Sequence, residues 1–317
     1  MPHLLIAGKL HPSGLALLND AEGMTYDYVE DVSEASYAPF ISKADALLIR
    51  TQPLSEATVA KAERLKIVSR HGVGYDAVDL AALNARRIPL CIVGDVNSIS
   101  VAEHAMMLIL ACAKFLIQAD RAVRGDRWGW RNQLAAEEIS GKNLLLLGYG
   151  RIGRRLARMA EGFGMQIRAH DPFLAEHGWP EGSVAPVVSL VEGLAWADVI
   201  SVSVPKAGQP ILGAEELASV KPGAILINTA RGGIVDEAAL AAALADGRVA
   251  AAGIDVFDAE PPPAHHPLLA FDQVILTPHI AGLTQQAAER MATGSVQNLL
   301  DFFAGRIDPD LIVNKDF

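Results

Sequence analysis

Short apolar runs alternate with segments of helical periodicity along the first third of the chain. Residues 12–20 and 55–65 place apolar side chains at the spacing of a helix that faces a core. Four other runs have the length and composition of buried strands, at residues 4–7, 46–49, 67–69 and 90–93. This alternation predicts a small α/β unit with its own sheet.

The alternation resumes in a second block, which starts at the most apolar strand of the chain. Residues 143–147 carry four consecutive leucines and no charge, as a strand covered on both faces does. Helical periodicity follows at 154–163, 214–219 and 236–245. Further strand-like runs lie at residues 166–170, 198–202, 224–228, 249–255 and 274–276. About six strands therefore predict a Rossmann-like, doubly wound parallel sheet.

A long helix is predicted between the two blocks. Ser100 and Glu103 have the spacing of a capping box, and apolar residues continue on nearly all sides to about residue 123. Because such a helix is buried on several faces, we expect a homodimer formed through the helix that starts near Ser100. The last predicted helix, residues 284–303, is expected to return to the first block.

Composition narrows the class of protein. The 317 residues are long enough for two domains, and 51% hydrophobic residues argue against disorder. A formal charge of −10 without a basic stripe argues against a nucleic-acid partner. The apolar stretch 105–113 is too short for a bilayer, so no membrane partner is expected. Cys91 and Cys112 lie in apolar surroundings and the N-terminus resembles a strand, which favours the cytoplasm.

Three glycines after the leucine strand predict a dinucleotide site. Gly148 permits the turn, Gly150 lets the backbone approach a pyrophosphate, and Gly153 lets the helix pack on the strand. Asp171 ends the next strand, eighteen residues past Gly153, where a carboxylate accepts hydrogen bonds from ribose hydroxyls and repels a 2′-phosphate. An ordinary structural turn is the alternative. The order of strand, glycines, helix and acid favours a dinucleotide-binding turn over a structural one. The carboxylate of Asp171 favours NAD over NADP as the cofactor.

Three polar side chains follow strands of the second block: Arg231, Glu260 and His279. The carboxyl ends of parallel strands line one crevice, so these residues can converge. Beside a nicotinamide, His279 can give a proton to a carbonyl that receives hydride, and Glu260 can orient its ring. Arg231 can clamp the oxygens of a 2-oxo acid. Each residue alone is more often a loop or capping residue.

The segment 70–76 also follows a strand directly. Its glycines expose backbone N–H groups in a tight turn, where a carboxylate can bind. Two short motifs that contain histidine are rejected as metal sites: His265-His266 is expected to be solvated in a proline loop, and Glu103-His104 lacks a second histidine. No metal is predicted.

Six motifs in this order resemble the NAD-dependent D-2-hydroxyacid dehydrogenases, in the branch of phosphoglycerate dehydrogenase and hydroxypyruvate/glyoxylate reductase. The motifs lie at residues 71–79, 100–104, 148–153, 228–233, 253–261 and 277–282. The resemblance implies a discontinuous, flavodoxin-like substrate domain, residues 1–98 and 286–317. It also implies an NAD-binding Rossmann domain, residues 99–285.

The resemblance assigns roles to individual residues. Arg231 becomes the substrate clamp, Glu260 the partner of the histidine, and His279 the general acid and base. The implied cofactor-binding residues are Gly148, Tyr149, Gly150, Arg151, Ile152, Gly153, Asp171, Val204, Pro205, Thr229, Ala230 and Asp255. The implied substrate-binding residues are Arg50, His71, Val73, Gly74 and Arg231, with backbone N–H groups of Val73 and Gly74 on the substrate carboxylate.

Several positions leave alternatives open. Arg50 and Arg70 match positions that face the substrate in phosphoglycerate dehydrogenases, and surface ion pairs are the competing interpretation. Lys206 and Arg151 add positive charge near the cofactor and weaken the case for strict NAD use. Trp128 and Trp130 either cover the partner's pocket or pack a dimer.

The expected function is hydride transfer between NAD and a small D-2-hydroxy acid, with 3-phosphoglycerate or hydroxypyruvate/glyoxylate as candidate substrates. The alternative is an NAD-sensing corepressor of the same fold, in which the cofactor shapes a peptide-binding face. The sequence favours the enzyme, because no extended peptide-binding tail stands out.

Overall fold

The computed structural model describes residues 1–182, 184–206 and 208–315. They form two compact units, residues 1–97 with 283–317 and residues 98–282. The sequence predicts boundaries at 98/99 and 285/286, and the assignment of the two parts as substrate domain and NAD-binding domain stays a prediction. Each unit holds one parallel sheet, which confirms the predicted α/β fold class with two parallel-sheet domains.

The strands are β1 (His3–Ala7), β2 (Thr25–Val29), β3 (Ala46–Ile49), β4 (Ile67–Arg70), β5 (Leu90–Cys91), β6 (Asn143–Leu147), β7 (Gln166–His170), β8 (Ala185–Pro186), β9 (Val199–Val202), β10 (Ala224–Asn228), β11 (Val249–Ile254) and β12 (Val274–Leu276). The helices are α1 (Pro12–Asp20), α2 (Glu34–Tyr37), α3 (Glu56–Lys61), α4 (Leu80–Ala85), α5 (Ser98–Ala113), α6 (Leu116–Arg124), α7 (Arg151–Gly162), α8 (Pro172–His177), α9 (Leu190–Trp196), α10 (Ala214–Ala218), α11 (Glu237–Ala245) and α12 (Gln285–Phe303).

The first unit is a five-stranded sheet in the order β2-β1-β3-β4-β5. This is the flavodoxin-like order, with a switch point between β1 and β3. Alternate residues of each strand enter different cores: Leu5 and Leu47 pack on one face, and Leu4 and Leu48 pack on the other with α12. Both faces are therefore covered, which explains why these strands are uniformly apolar.

The second unit is a seven-stranded sheet in the order β12-β11-β10-β9-β6-β7-β8. The chain leaves β6 first to one side and then to the other, so the switch point lies between β6 and β9. Leu145 and Leu144 enter the two separate cores on opposite faces. The four leucines of β6 are thus buried on both faces, as predicted.

Two strands were not predicted, and the second sheet has seven strands rather than six. Strand β2 has an exposed Thr25 and a polar Asp27, and it lies at an edge where only one side is hydrogen-bonded. Strand β8 has two residues, both exposed. Edge strands do not need a continuous apolar run, so their sequences lack the signal that identified the central strands.

The prediction of one continuous helix from Ser100 to about residue 123 was wrong in two respects. The helix α5 begins at Ser98, so Ser100 lies inside it and does not form a capping box. It also ends at Ala113, and Phe115 adopts a left-handed backbone with φ of 50° before α6 begins. Helices α5 and α6 are bent by 59°.

The apolar surface of α5 is largely covered inside its own unit. Leu108, Ile109 and Cys112 are buried, and the helix packs against α7, β10 and β11. Ile99 and Met107 are the large apolar side chains of α5 that are exposed, and further exposed ones follow at Leu116, Ile117, Val123, Trp128 and Leu134. Across the described residues no single helix has the length and apolarity to cross a membrane; only α5 and α6 taken together meet those criteria.

Candidate active site in the second unit and anion-binding residues in the first

Each of the three positions in the glycine turn, 148, 150 and 153, is a glycine for a different physical reason. Gly148 has φ of 93°, and a Cβ there would lie 2.6 Å from the carbonyl oxygen of Ser203. A Cβ on Gly153 would lie 2.4 Å from the carbonyl oxygen of Gly148, so α7 is held directly against the end of β6. A Cβ on Gly150 would meet no atom within 4 Å. Space for a ligand is thus left only at the middle glycine.

Gly150 is also the N-cap of α7, and no side chain caps this end of the helix. The first N–H groups of a helix are unpaired unless a cap or ligand accepts their hydrogen bonds, and they attract anions. Arg151, Ile152 and Gly153 form this first turn, and the side chain of Arg151 is exposed. The turn therefore fits the pyrophosphate of a dinucleotide.

Asp171 lies at the carboxyl end of β7, beside the glycine turn. Its Oδ2 accepts a hydrogen bond of 2.8 Å from the backbone N–H of Tyr149. Its Oδ1 accepts one of 3.1 Å from the N–H of Leu174 and caps α8. The carboxylate is thus fixed next to the turn, where the ribose role was expected; that role stays a prediction.

The remaining cofactor candidates follow β9 and β10. Val204 and Pro205 come after β9, and Thr229 and Ala230 are buried immediately after β10. The hydroxyl oxygens of Ser203 and Thr229 are buried without a hydrogen-bond partner. Buried hydroxyls are nearly always hydrogen-bonded, so these two fit a polar ligand along the strand ends.

His279 and Glu260 form a direct pair. Nδ1 of His279 lies 2.7 Å from Oε2 of Glu260, and Oε1 of Glu260 accepts a hydrogen bond of 3.0 Å from the N–H of Phe257. Since a carboxylate only accepts, Nδ1 carries a proton, and Nε2 is left to exchange one with a ligand. The side chains are 50% and 38% exposed, so the pair is open to small molecules.

Arg231 lies in the turn that follows β10, and the side chain of Asn228 shapes this turn. Asn228 accepts a hydrogen bond of 3.1 Å from the N–H of Ala230 and donates one of 3.1 Å to the carbonyl of Arg231. A Cβ on Gly232 would lie 1.9 Å from the carbonyl oxygen of Phe257. The turn is therefore packed against the segment whose N–H positions Glu260.

The strand order explains why these three residues belong together. Arg231, Glu260 and His279 follow β10, β11 and β12, which are neighbours in the sheet. Sequence reasoning placed them at one edge from the strand ends alone. It did not identify Asn228 as a residue that holds the turn, although an asparagine directly before a turn is a signal of such a role.

Asp255 is fully buried and its carboxylate binds the loop that carries His279. It accepts hydrogen bonds of 2.9 Å from the N–H groups of Ile280 and Ala281 and one of 2.5 Å from the Thr277 hydroxyl. The family resemblance implies that Asp255 lies at the nicotinamide end of the cofactor. That assignment stays a prediction, and the structure adds this set of internal contacts.

In the first unit, Arg50 and His71 lie side by side at the carboxyl ends of β3 and β4. Ile49 pairs with Arg70, and the N–H of His71 donates to the carbonyl of Ile49 over 2.8 Å. Nη1 of Arg50 donates to the carbonyl of Lys9 over 2.5 Å. Arg50 Nε and His71 Nε2 are buried and have no hydrogen-bond partner.

Burial lowers the pKa of His71 to about 3, and the neighbouring charges of Arg50 and Arg70 act in the same direction. Burial also lowers the pKa of the Arg50 guanidinium. His71 is thus neutral at pH 7, beside two arginines. The next residues, Val73 and Gly74, are partly exposed in the turn that follows β4, and Gly72 before them has φ of 142°.

The prediction that His265-His266 is solvated was wrong for His266. His266 is not solvated; it is 7% exposed, its Nε2 lies 2.8 Å from Oε2 of Glu237, and its ring meets the edge of Phe257 at 86°. The proline-rich surroundings suggested exposure, whereas the ring packs under the loop. Among residues 1–182, 184–206 and 208–315, no group of three or more His, Cys, Asp or Glu side chains could hold a metal ion.

The second unit thus has the fold and the glycine turn of a dinucleotide-binding α/β protein, with an acid/base pair at its strand ends. A sequence model described as "D-isomer specific 2-hydroxyacid dehydrogenase, NAD binding domain" matches residues 106–281. The chain belongs to the D-2-hydroxyacid dehydrogenase family, which confirms the resemblance and supports a nicotinamide cofactor.

Relatives of known name fall into the two expected classes. D-3-phosphoglycerate dehydrogenase of Mycobacterium tuberculosis is 38% identical over 315 residues, or 98% of this chain and 59% of that protein. Glyoxylate reductase of Korarchaeum cryptofilum is 34% identical over 98% of this chain and 96% of that protein. The chain therefore spans about three-fifths of that phosphoglycerate dehydrogenase and nearly all of the reductase.

A crystal structure of the same family shows the same fold. The NADPH-dependent glyoxylate/hydroxypyruvate reductase of Sinorhizobium meliloti, in complex with citrate, is 31% identical and superposes with a TM-score of 0.84. The match covers 96% of this chain and 95% of that chain. That reductase is NADPH-dependent, so membership of the family does not by itself decide between NAD and NADP.

Proposed function

We propose that this protein is an NAD-dependent oxidoreductase that interconverts a small D-2-hydroxy acid and the corresponding 2-oxo acid. The observation that carries the proposal is the pair of His279 and Glu260, joined at 2.7 Å on the unit that holds the glycine turn. The bound nicotinamide supplies or accepts the hydride. The residues of the chain bind the substrate and move the proton.

His279 acts at its Nε2. In reduction, the protonated ring donates Nε2–H to the oxygen that becomes the hydroxyl; in oxidation, the neutral ring accepts that proton. Glu260 holds Nδ1–H in both directions, so the ring keeps one orientation while Nε2 changes its state. A carboxylate at this distance also stabilises the imidazolium through a charge-assisted hydrogen bond.

Arg231 binds the substrate oxygens. Its guanidinium offers a planar fork of donors to a carboxylate and to the adjoining carbonyl, which polarises the carbon that receives hydride. In the first unit, the backbone N–H groups of Val73 and Gly74 are offered as carboxylate donors by the proposal, as the family resemblance implies. Asn228 supports this role because it fixes the backbone on both sides of Ala230.

The substrate class follows from the first unit. Arg50, Arg70 and His71 provide two cations and a neutral donor, and the buried Nε of Arg50 and Nε2 of His71 have unsatisfied hydrogen-bonding capacity. Buried polar atoms of this kind favour a substrate with a second polar or anionic group. Hydroxypyruvate and phosphohydroxypyruvate carry such a group, whereas glyoxylate does not.

The proposed cofactor is NAD rather than NADP, because of the charge of Asp171. Asp171 is fixed by two backbone N–H groups next to the glycine turn and would repel a 2′-phosphate. The further cofactor residues are those named from the sequence, from Gly148 to Gly153 with Val204, Pro205, Thr229, Ala230 and Asp255.

The protein also forms a homodimer in this proposal. The exposed apolar side chains of α6 and the segment after it, including Val123, Trp128 and Leu134, are the surface that a second copy would cover. Ile99 and Met107 of α5 are exposed as well, so the expected contact extends from α5 into the residues that follow it. Light scattering after size exclusion should give twice the 33.7 kDa mass of one chain.

A panel of 2-oxo acids tests the function. The protein is mixed with NADH or NADPH and with glyoxylate, hydroxypyruvate or phosphohydroxypyruvate. Oxidation of the cofactor is followed as a fall in the absorbance of its reduced nicotinamide ring. The proposal expects turnover with NADH, fastest with one of the two larger acids. Absence of turnover across a broad panel, together with NAD-dependent binding of a specific peptide, would support the corepressor instead.

A further inference from the structure

The loop that carries His279 has an unusual backbone. His279 has φ of 53°, in the left-handed region that only a few per cent of residues other than glycine adopt, with histidine, asparagine and aspartate the commonest among them. Such a conformation persists only where its surroundings fix it. The contacts that fix this loop therefore decide where the imidazole of His279 lies.

Four of the hydrogen bonds that hold this loop converge on Asp255. The backbone carbonyl of Asp255 accepts a hydrogen bond of 2.9 Å from the N–H of His279. Its carboxylate accepts those from Ile280, Ala281 and the hydroxyl of Thr277. The loop is thus tied to the end of β11 at both of its ends.

The hydroxyl of Thr277 is held in turn by His104, a residue of α5 that lies 173 positions earlier in the sequence. His104 Nε2 lies 3.1 Å from Oγ1 of Thr277 and 3.7 Å from Oδ1 of Asp255. The single hydroxyl proton of Thr277 points to the carboxylate, so Nε2 of His104 must be the donor to Oγ1. The chain of donors runs from His104 through Thr277 to Asp255.

The packing of α5 fixes the place of His104. A Cβ on Gly253 would lie 2.9 Å from Cβ of Leu108, so β11 accepts the helix at this point only because residue 253 has no side chain. His104 is one helical turn before Leu108 and lies past the end of the strand, at Asp255. Its side chain is 13% exposed.

We propose that His104 and Thr277 are positioning residues for the reaction: they hold the carboxylate of Asp255 and, through it, the left-handed backbone that aims His279. This inference rests on the proposed function, because it concerns the acid/base residue of that reaction. Neither residue touches the substrate in this account; each acts through the loop 277–281.

Four variants test the proposal by paired substitution. Thr277→Val keeps the shape but removes the hydroxyl, whereas Thr277→Ser keeps the hydroxyl. His104→Leu removes the donor, whereas His104→Gln keeps an N–H donor at a similar reach. Ser189→Ala, which removes the cap of α9 in the same unit, is the control for a general loss of stability.

Steady-state kinetics with NADH and the best substrate of the panel give the first measurement. Thr277→Val and His104→Leu should lower kcat by about 10- to 100-fold, because a small displacement of an acid/base group costs that much. Their Kd for NADH should stay within about twofold, and Thr277→Ser and His104→Gln should restore most of kcat. Unchanged kcat in Thr277→Val and His104→Leu would overturn the proposal.

Hydrogen exchange at the amides of Ile280 and Ala281 gives a second measurement that needs no turnover. Thr277→Val and His104→Leu should accelerate exchange at these amides by about 10-fold or more, while Ser189→Ala should not. Equal exchange in all variants would refute the positioning role. If the wild-type protein turns over no 2-oxo acid, the proposed function fails, and this exchange measurement still decides the role of His104 and Thr277.

Discussion

The substitution Gly150→Ala separates the fold of the glycine turn from its use as a ligand site. An alanine at position 150 meets no atom within 4 Å, and the backbone there has a negative φ of −76°, so the substitution introduces no left-handed strain. The free energy of unfolding should therefore stay the same or rise by up to about 1 kcal/mol, since alanine restricts the unfolded chain.

The same methyl group occupies the space left for the pyrophosphate. Forcing one methyl into a filled site costs about 1–3 kcal/mol, which corresponds to a rise in the Kd for NADH of about 5- to 150-fold. Binding is measured by quenching of tryptophan fluorescence, and stability by urea unfolding with the same signal. The four reporters all lie in the second unit, at Trp128, Trp130, Trp179 and Trp196.

Gly153→Ala is the matched comparison. Its Cβ would lie 2.4 Å from the carbonyl oxygen of Gly148, so strand and helix must separate and stability should fall by about 1–3 kcal/mol. The reasoning is refuted if Gly150→Ala binds NADH with unchanged affinity, or if it loses as much stability as Gly153→Ala.

Three further predictions concern His71, Asp171 and Arg70. The unfolded chain protonates His71 near pH 6.5, whereas burial keeps the folded pKa at about 3, so stability is lost as the pH falls below 6.5, by about 2 kcal/mol at pH 5. Hydrogen exchange of the β3 and β4 amides at pH 7.5 and pH 5 should show this loss in the wild type and a smaller one in His71→Gln; equal losses would contradict it. Asp171→Asn should lower the ratio of kcat/KM for NADH to that for NADPH by about 10-fold or more, because it removes the repulsion of the 2′-phosphate, and an unchanged ratio would rule out the ribose role. Arg70→Ala should raise KM for phosphohydroxypyruvate about 10- to 100-fold with little change for glyoxylate, whereas Arg64→Ala, which breaks a pair with Asp45, should affect neither; a similar rise for both acids would argue against a second anionic group.

The parts of the site that sequence could predict are those in which local chemistry is sufficient. The roles of Gly148, Gly150 and Gly153 depend on a strand, a turn and a helix within eleven residues. The structure has the turn at Gly148 and the close helix packing at Gly153, and the pyrophosphate role of Gly150 stays a prediction. The strand ends that carry Arg231 and His279 could also be found, because a parallel sheet puts all its carboxyl ends at one edge.

Two features that the sequence did not predict were missed for identifiable reasons. The break at Phe115 was missed because apolar periodicity continues through it, and only the left-handed backbone of Phe115 separates α5 from α6. The role of His104 was missed because the residue was judged only as a metal ligand. Its partner Thr277 is 173 residues away, and no local pattern links the two.

The most direct test of the account is the substitution His279→Gln in single-turnover measurements with NADH and the best 2-oxo acid. Removal of a general acid should lower the rate of NADH oxidation by about 10²- to 10⁴-fold, while the Kd for NADH changes by less than about twofold. His265→Gln, in an exposed loop of the same unit, should retain the wild-type rate. An unchanged rate in His279→Gln would show that the pair of His279 and Glu260 is not the acid/base machinery, and the central claim would fail.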